Sequence, residues 1–162
     1  MDYSIRTKSN AIKVEVNDRG DYIAIHPGNA KIFENFAVCR ENILKLADDM
    51  PKRLEAIEKE YEGREDEKSA DEKERRIFSE YVKFSETFIE NIDGVFGPGT
   101  IRKYFADNYE EVHDFVPDEA CAEDFFEQIT PVIEQIFKKH LDKRKASMAK
   151  YKPQDHKKKG EK

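Results

Sequence analysis

The chain contains no tryptophan and only two cysteines, Cys39 and Cys121, among its 162 residues. Neither cysteine belongs to a CxxC pair or to another spacing typical of metal ligands. Two isolated cysteines in a chain of this length do not make a disulfide framework, so a small disulfide-stapled secreted domain is excluded. We therefore expect a reduced compartment.

Long apolar runs are also missing. No run approaches the roughly 20 residues that a membrane-spanning helix needs. Residues 1–13 are polar and of mixed charge, so no signal peptide is expected. These absences predict a cytoplasmic protein without a membrane partner.

Charge is abundant but unevenly distributed. Charged residues make up 40% of the chain, against a usual share of about 25%. The net charge is −6, yet residues 138–162 hold 11 Lys or Arg against 3 Asp or Glu, a balance of +8. The remainder holds 18 basic and 32 acidic residues, a balance of −14. An acidic body of this kind repels nucleic acid and anionic membranes.

The first periodic segment predicts a β-hairpin. Ile12, Val14 and Val16 alternate with polar residues, and the turn cluster 18–21 separates them from the apolar run 22–25. Two strands alone are marginally stable in water, so the hairpin must pack on helices or pair with another chain.

Helical spacing of apolar residues dominates the rest of the chain. Asn29 is a candidate N-cap for the first helix, in which we expect a kink at Pro51. Residues 62–76 are almost wholly charged and predict an exposed connection, although Ser69 and Glu72 match a capping box that places the second helix start at Ala70.

The second half predicts a break, a short helix and a last long helix. Asp93-Gly94 and residues 97–99 are expected to end the second helix, and Thr100 to cap the short one. Residues 108–117 read as irregular, with four apolar anchors: Tyr109, Val112, Phe115 and Val116. Asp118 is the candidate cap of the last helix, which should kink at Pro131.

Together these patterns predict an α+β fold that is predominantly α-helical, with an N-terminal β-hairpin followed by about four helices. The expected organisation is a flexible N-terminus over 1–11, one hairpin-plus-helical domain over 12–150 and a disordered basic tail over 151–162.

No motif in the sequence indicates a reaction. None of the four histidines lies three or four residues from another histidine or from a cysteine, so no zinc site is predicted. The Gly-rich stretch 94–100 is neither G-x-G-x-x-G nor a P-loop, and it follows a helix rather than a strand. Its glycines are more typical of a helix C-cap and turn. We assign no catalytic, cofactor-binding or metal-binding residue and expect no enzyme.

The basic tail allows two interpretations. As a nucleic-acid arm it offers several phosphate contacts, but only Tyr151 could stack on a base among its lysines. A solubilising, disordered terminus is favoured, so nucleic acid is an unexpected partner.

From Ile12 to Tyr151 the order of elements resembles the small tail assembly chaperones of long-tailed phages and prophages of Gram-positive bacteria. The residues that carry the resemblance are Asn17, Asp18, Gly20, Asp21, Ile92, Asp93, Phe96, Gly97, Gly99, Phe105, Phe125 and Phe126. The candidate structural motif is formed by Asn17, Gly20, Asp21, Asp93, Gly94, Phe96, Gly97, Gly99, Phe125 and Phe126. The charged stretch 62–76 departs from that order.

The resemblance implies a non-catalytic viral protein of the host bacterial cytoplasm. Such a protein would keep the long, helical tape measure protein soluble while tail tube subunits assemble around it. It also implies programmed ribosomal frameshifting, for which the codons of residues 157–160, Lys-Lys-Lys-Gly, could form an A-rich slippery site.

Two other function classes stay open. A structural tail component, such as a tube or connector subunit, would pair its hairpin with neighbouring subunits by strand addition. A regulatory nucleic-acid-binding protein would use the basic tail, and its binding would weaken steeply with salt.

Overall fold

A computed structural model describes residues 2–6, 10–109 and 116–150. Its elements are β1 (Ile12–Glu15), β2 (Tyr22–Ile25), α1 (Ala30–Glu60), α2 (Glu67–Phe96), α3 (Thr100–Tyr104), α4 (Ala106–Tyr109) and α5 (Glu119–Lys150). The predicted α+β, mostly helical fold with an N-terminal hairpin is thereby confirmed. The basic tail 151–162 and the proposed anchors Val112 and Phe115 lie outside the described residues.

The hairpin forms as its alternation predicts. Strands β1 and β2 pair antiparallel with Ile12 opposite Ile25 and Val14 opposite Ile23. The turn is closed by a 3.0 Å bond from the Val16 amide to the Asp21 carbonyl. Gly20 has φ +85°, a value that favours glycine. Because side chains alternate between faces, Ile23 and Ile25 are buried together on the helical side.

Helix α1 begins where its cap residue predicts. The Asn29 side chain accepts a bond of 3.1 Å from the Lys31 amide. Pro51 lies inside a helix that is continuous from residue 30 to residue 60. The proline therefore does not restart the helix, although it removes one backbone donor.

The predicted start of α2 was wrong. The helix begins at Glu67, and Asp66 is the N-cap, with its carboxylate 2.9 Å from the Ser69 amide. Ser69 therefore occupies the third helical position instead of the cap. Since Lys, Glu and Arg are good helix formers, most of the charged stretch 62–76 is helix and not a connection.

Helix α2 ends at the second of the two predicted breaks and not at the first. Asp93 and Gly94 are helical, and the helix continues to Phe96 before Gly97 leaves it with φ +119°. Thr100 is not a cap but the first residue of α3, where Gly99 holds the N-cap position without a side-chain bond. The Thr100 hydroxyl instead donates to the Gly97 carbonyl at 2.7 Å.

The segment before α5 is less irregular than predicted. Asn108 and Tyr109 belong to α4, and Val116 is 44% exposed, so it does not anchor the core. Pro117 is fully buried in its place. Asp118 caps α5 as predicted, because its carboxylate accepts a 3.0 Å bond from the Cys121 amide. Pro131 lies within the continuous α5 helix.

The three long helices overlap only in part. Helix α5 runs antiparallel to α1, since the Phe137 ring lies 4.6 Å from Phe33 while Phe126, further back along α5, lies 6.0 Å from Phe36. Residues 141–149 are exposed and extend past the start of α1. At the opposite end, the α1–α2 connection extends past the start of α5. No helix of the described ranges is long and apolar enough to cross a membrane.

Candidate functional site: a polar anchor and an interhelical groove

Asn17 ties the hairpin turn to α3. Its side-chain amide donates to the Asp21 carboxylate at 2.7 Å and to the Lys103 carbonyl at 2.8 Å. Its side-chain oxygen accepts from the Arg19 amide at 2.8 Å. One side chain thus fixes the turn internally and also donates to a carbonyl at the end of α3.

Asp93 does the corresponding work at the start of α3. Its two carboxylate oxygens accept from the Gly99 amide at 3.0 Å and from the Ile101 amide at 3.1 Å. A carboxylate next to free amides at a helix N-terminus is stabilised by charge-assisted bonds and by the helix dipole. Asp93 therefore acts as the cap that the Gly99 position lacks.

The two polar residues hold opposite ends of the same short helix. A further bond joins the hairpin to α4, since the Asp18 amide donates to the Asp107 carboxylate at 2.8 Å. The cluster of Asn17, Asp21, Asp93 and the glycines at 97 and 99 is therefore called the polar anchor. It is a structural device, because its side chains bond to one another and to backbone groups of the protein itself.

The predicted aromatic residues meet in one cluster beside the polar anchor. Phe125 and Phe126 lie with ring centroids 5.9 and 6.1 Å from Phe88. Phe96 lies 5.7 Å from Phe36, which also contacts Phe126. Phe36, Phe88, Phe125 and Phe126 are buried core residues of the helical body, and Phe96 is partly buried against this core.

Tyr104 joins the anchor to the aromatic cluster. Its ring lies 4.9 Å from that of Phe125, and its hydroxyl donates to Asp124 at 2.9 Å. Burial first, and then the bond to Asp124, raise the pKa of the Tyr104 hydroxyl above its ordinary range. The hydroxyl therefore stays a proton donor within the fold and is not poised to act as a base.

Gly94 is the one predicted motif residue placed elsewhere. It lines an open groove of about 670 Å³ between α1 and α2. The lining residues are Lys31, Glu34, Asn35, Val38, Cys39, Asn42, Glu90, Asn91, Gly94 and Val95. Because Gly94 carries no side chain, α2 presents a flat stretch there, and nothing lies within 4 Å of where a Cβ would be.

The interhelical groove faces away from α5. At 3.6 residues per turn, the groove positions Asn35, Val38 and Asn42 lie on the α1 face opposite the positions that meet α5, Arg40 and Leu44. Val38 is 54% exposed in the groove, where it is flanked by polar residues. The α1–α2 pair is therefore covered on one face and open on the other.

Cys39 lies at the base of this groove but is 4% exposed. Burial raises the pKa of its thiol to about 11, so the thiol stays neutral and unreactive at ordinary pH. Cys39 is thus a small, buried core residue. Within the ranges 2–6, 10–109 and 116–150, no group of three His, Cys, Asp or Glu side chains could hold a metal ion.

Comparison with known proteins adds no relative: no family model, no curated protein and no solved structure matches the chain.

Sequence reasoning missed the interhelical groove. Its lining mixes amides, charges and single aliphatic side chains, a composition that looks like any solvated helix face. Val38 is the sequence signal for this groove. It is an aliphatic residue that follows Ala37 but does not continue the apolar pattern by which α1 packs on the core.

Proposed function

We propose that this protein is a non-catalytic protein-binding protein that works as a tail assembly chaperone in the bacterial cytoplasm. Its client would be a long helical tape measure protein, kept soluble until the tail is built. Two observations support the proposal. The sequence resembles tail assembly chaperones, and the long antiparallel helices α1 and α2 leave one face uncovered by the rest of the fold.

The open face suits an amphipathic helix. The interhelical groove runs between α1 and α2, and a third helix laid along it would bury Val38 and Val95. Helices bind such grooves through apolar residues spaced three and four positions apart. A long helical client would offer many successive segments to the same groove.

Charge supports the second half of the task, solubility. Residues 1–137, which form all of the fold except the basic end of α5, have a charge balance of −14. A client helix covered by such a body would present a strongly acidic exterior, which favours solubility over association.

The test is co-expression with the tape measure protein encoded in the same gene cluster. We expect the client to be insoluble alone and to be recovered as a soluble complex with the wild-type chain. Val38→Asp places a charge in the groove and should abolish that recovery. Val82→Asp is the matched control, since Val82 is 39% exposed and lies outside the groove residues.

A client that stays insoluble with the wild-type chain contradicts the chaperone proposal. Equal rescue by wild type and Val38→Asp leaves the chaperone role standing but removes the groove as its binding site.

A structural tail component is the second candidate. It is favoured by one observation, the two-stranded sheet, because strand addition at its edges would link subunits. Purified alone at high concentration, a tube or connector subunit would form rings or tubes visible by electron microscopy. A chaperone would remain a small species.

A further inference from the structure

The N-terminal segment, residues 2–6, is called the arm. It alternates apolar and polar side chains, with Tyr3 and Ile5 two residues apart. Tyr3 is 88% exposed and Ile5 is 93% exposed. The hydrogen bonds of Arg6 reach only to Ser4 and Ile5 within the arm itself. Alternation at a period of two is the pattern of a strand with one buried face, yet this arm buries neither large side chain.

Strand β1 offers the matching edge. Hydrogen-bonded and non-hydrogen-bonded residue pairs alternate along an antiparallel ladder. Val16 bonds to Asp21 across the turn, so the next hydrogen-bonded pair is Val14 with Ile23. The main-chain groups of Lys13 and Glu15 therefore point away from β2. These groups form the outer edge of a sheet that has two strands in the described chain. An outward row of amides and carbonyls is a template for another strand.

An apolar groove of about 230 Å³ runs along this outer edge. Residues 14–16, at the end of β1 and directly after it, form one wall, and the opposite wall comes from Tyr104 and α5. The α5 residues that line it are Phe125, Gln128, Ile129 and Val132. Drug-sized ligands occupy pockets of roughly 300–1,000 Å³, whereas a cavity of about 150 Å³ accepts one benzene-sized group. The edge groove therefore has room for the side chains of a short strand.

We propose that the arm of a second copy of this chain binds along the outer edge of β1. Its backbone bonds to Lys13 and Glu15, and Tyr3 and Ile5 insert toward Phe125, Ile129 and Val132. The second copy is the occupant because the arm is the one described segment with this alternation and full exposure. In its own chain the two large side chains of the arm are exposed.

Reciprocal exchange of two arms closes the assembly. Residues 7–11 link the arm to β1 and span at most roughly 17 Å when extended, enough to reach an adjoining molecule but not a distant one. The two β1 edges must then face each other across a twofold axis, with each arm on the opposite sheet. The result is a dimer and not an open polymer.

Sedimentation equilibrium of the full chain over a range of concentrations tests this assignment. We expect a monomer–dimer equilibrium for the wild type. The arm variant Tyr3→Ser/Ile5→Ser should raise the dimer dissociation constant at least roughly a hundredfold, since it removes both inserted side chains of each arm. The control Ser4→Ala/Arg6→Ala alters the alternate positions of the same arm and should change that constant by less than about threefold.

The acceptor edge has its own variant, Glu15→Pro. Proline removes an outward amide while the bonds between β1 and β2 remain, so the fold should be kept and the dimer weakened. An unfolded hairpin would also weaken the dimer, so a normal unfolding transition of this variant is required before its dissociation constant is read. If Glu15→Pro unfolds the protein, the dissociation constants of the two arm variants test the proposal without it.

Three outcomes overturn the proposal. A wild type that is monomeric at every concentration shows that the arm does not bind a second copy. A dimer that survives Tyr3→Ser/Ile5→Ser is formed by another surface. Slow amide exchange at Lys13 and Glu15 in a monomer shows that the arm folds onto its own sheet. None of these results depends on a client, so they do not affect the chaperone proposal.

Discussion

The two ends of the α1–α2 pair are held together by different forces. At the hairpin end, the helices share an aromatic cluster with α5, in which Phe88 and Phe125 are 0% exposed. At the connection end, ion pairs join the two helices, and Ile57 is buried there outside the main core cluster. Arg53 lies 3.3 Å from Glu80 and Lys73 lies 2.9 Å from Glu58.

This difference predicts an uneven stability along the same two helices. Exposed ion pairs contribute little, because water and salt screen them and two long side chains must be ordered. Burial of large aromatic side chains contributes far more. We therefore expect the hairpin end to unfold only globally and the connection end to open locally at lower free energy.

The largest expected effect comes from Phe88→Ala. Phe88 is 0% exposed and contacts Phe84, Phe125 and Phe126, so its loss leaves a cavity between α2 and α5. Chemical denaturation should show a loss of about 3–5 kcal/mol in the free energy of unfolding. Phe78→Ala is the matched control, since Phe78 on the same helix is 57% exposed and should cost about 0.5 kcal/mol or less. Equal losses for the two variants would refute the comparison.

Asp93→Ala should have the next largest effect. It removes the carboxylate that accepts bonds from the Gly99 and Ile101 amides and leaves both donors at the start of α3 without it. We expect a loss of about 2 kcal/mol by the same measurement. Asp142→Ala, in the exposed part of α5, is the control and should change little. A neutral Asp93→Ala would mean that the polar anchor does not stabilise the fold.

A smaller effect concerns pH. Burial raises the pKa of the Cys39 thiol from an ordinary 9.0 to about 11. Because the folded protein holds the thiol proton more tightly than the unfolded chain, the neutral thiol contributes to the free energy of unfolding. That contribution is complete below about pH 9 and is lost as the pH rises toward about 11.

Cys39→Ala should remove this part of the alkaline loss, although alanine lowers stability at every pH. The slopes of stability against pH should therefore be compared, not the absolute values. The raised pKa of Tyr104 acts in both proteins and cancels in the comparison. Identical slopes above pH 9 would contradict a buried, neutral Cys39 thiol.

Arg76→Ala should have the smallest effect on global stability. Arg76 pairs with Glu60 and lies over the Tyr61 ring at the connection end. The change should fall within the error of a global unfolding measurement. Amide hydrogen exchange should nevertheless become faster near residues 58–62 and 73–77, where this pair joins the helices. A large loss of global stability would show that the connection end belongs to the same cooperative unit as the aromatic cluster.

Local signals in the sequence predicted the elements best. The hairpin and the caps at Asn29 and Asp118 rely on side chains that bond within a few residues, and the structure contains all three. The start of α2 was missed because two capping signals overlap. Asp66 precedes the Ser69 motif by three residues and supplies the cap first.

Features that need distant residues were not predictable. In the sequence, Asp93 beside Gly94 predicts the end of a helix. Its role as a cap depends on the chain turning back after α2, which brings the Gly99 and Ile101 amides to its carboxylate. The open interhelical groove depends on which face of α1 is covered by α5. Contacts such as that between Phe33 and Phe137 determine which face α5 covers. These residues are more than one hundred positions apart in the chain, so no local sequence pattern predicts their contact.

The most direct test of protein binding through the open face of α1–α2 is hydrogen exchange of the chain with and without its tape measure client. We predict added protection along α1 at residues 31–42 and along α2 at residues 90–95, with the α5-facing positions unchanged. Protection confined to α5 or to the hairpin, with none along these two stretches, would contradict the account.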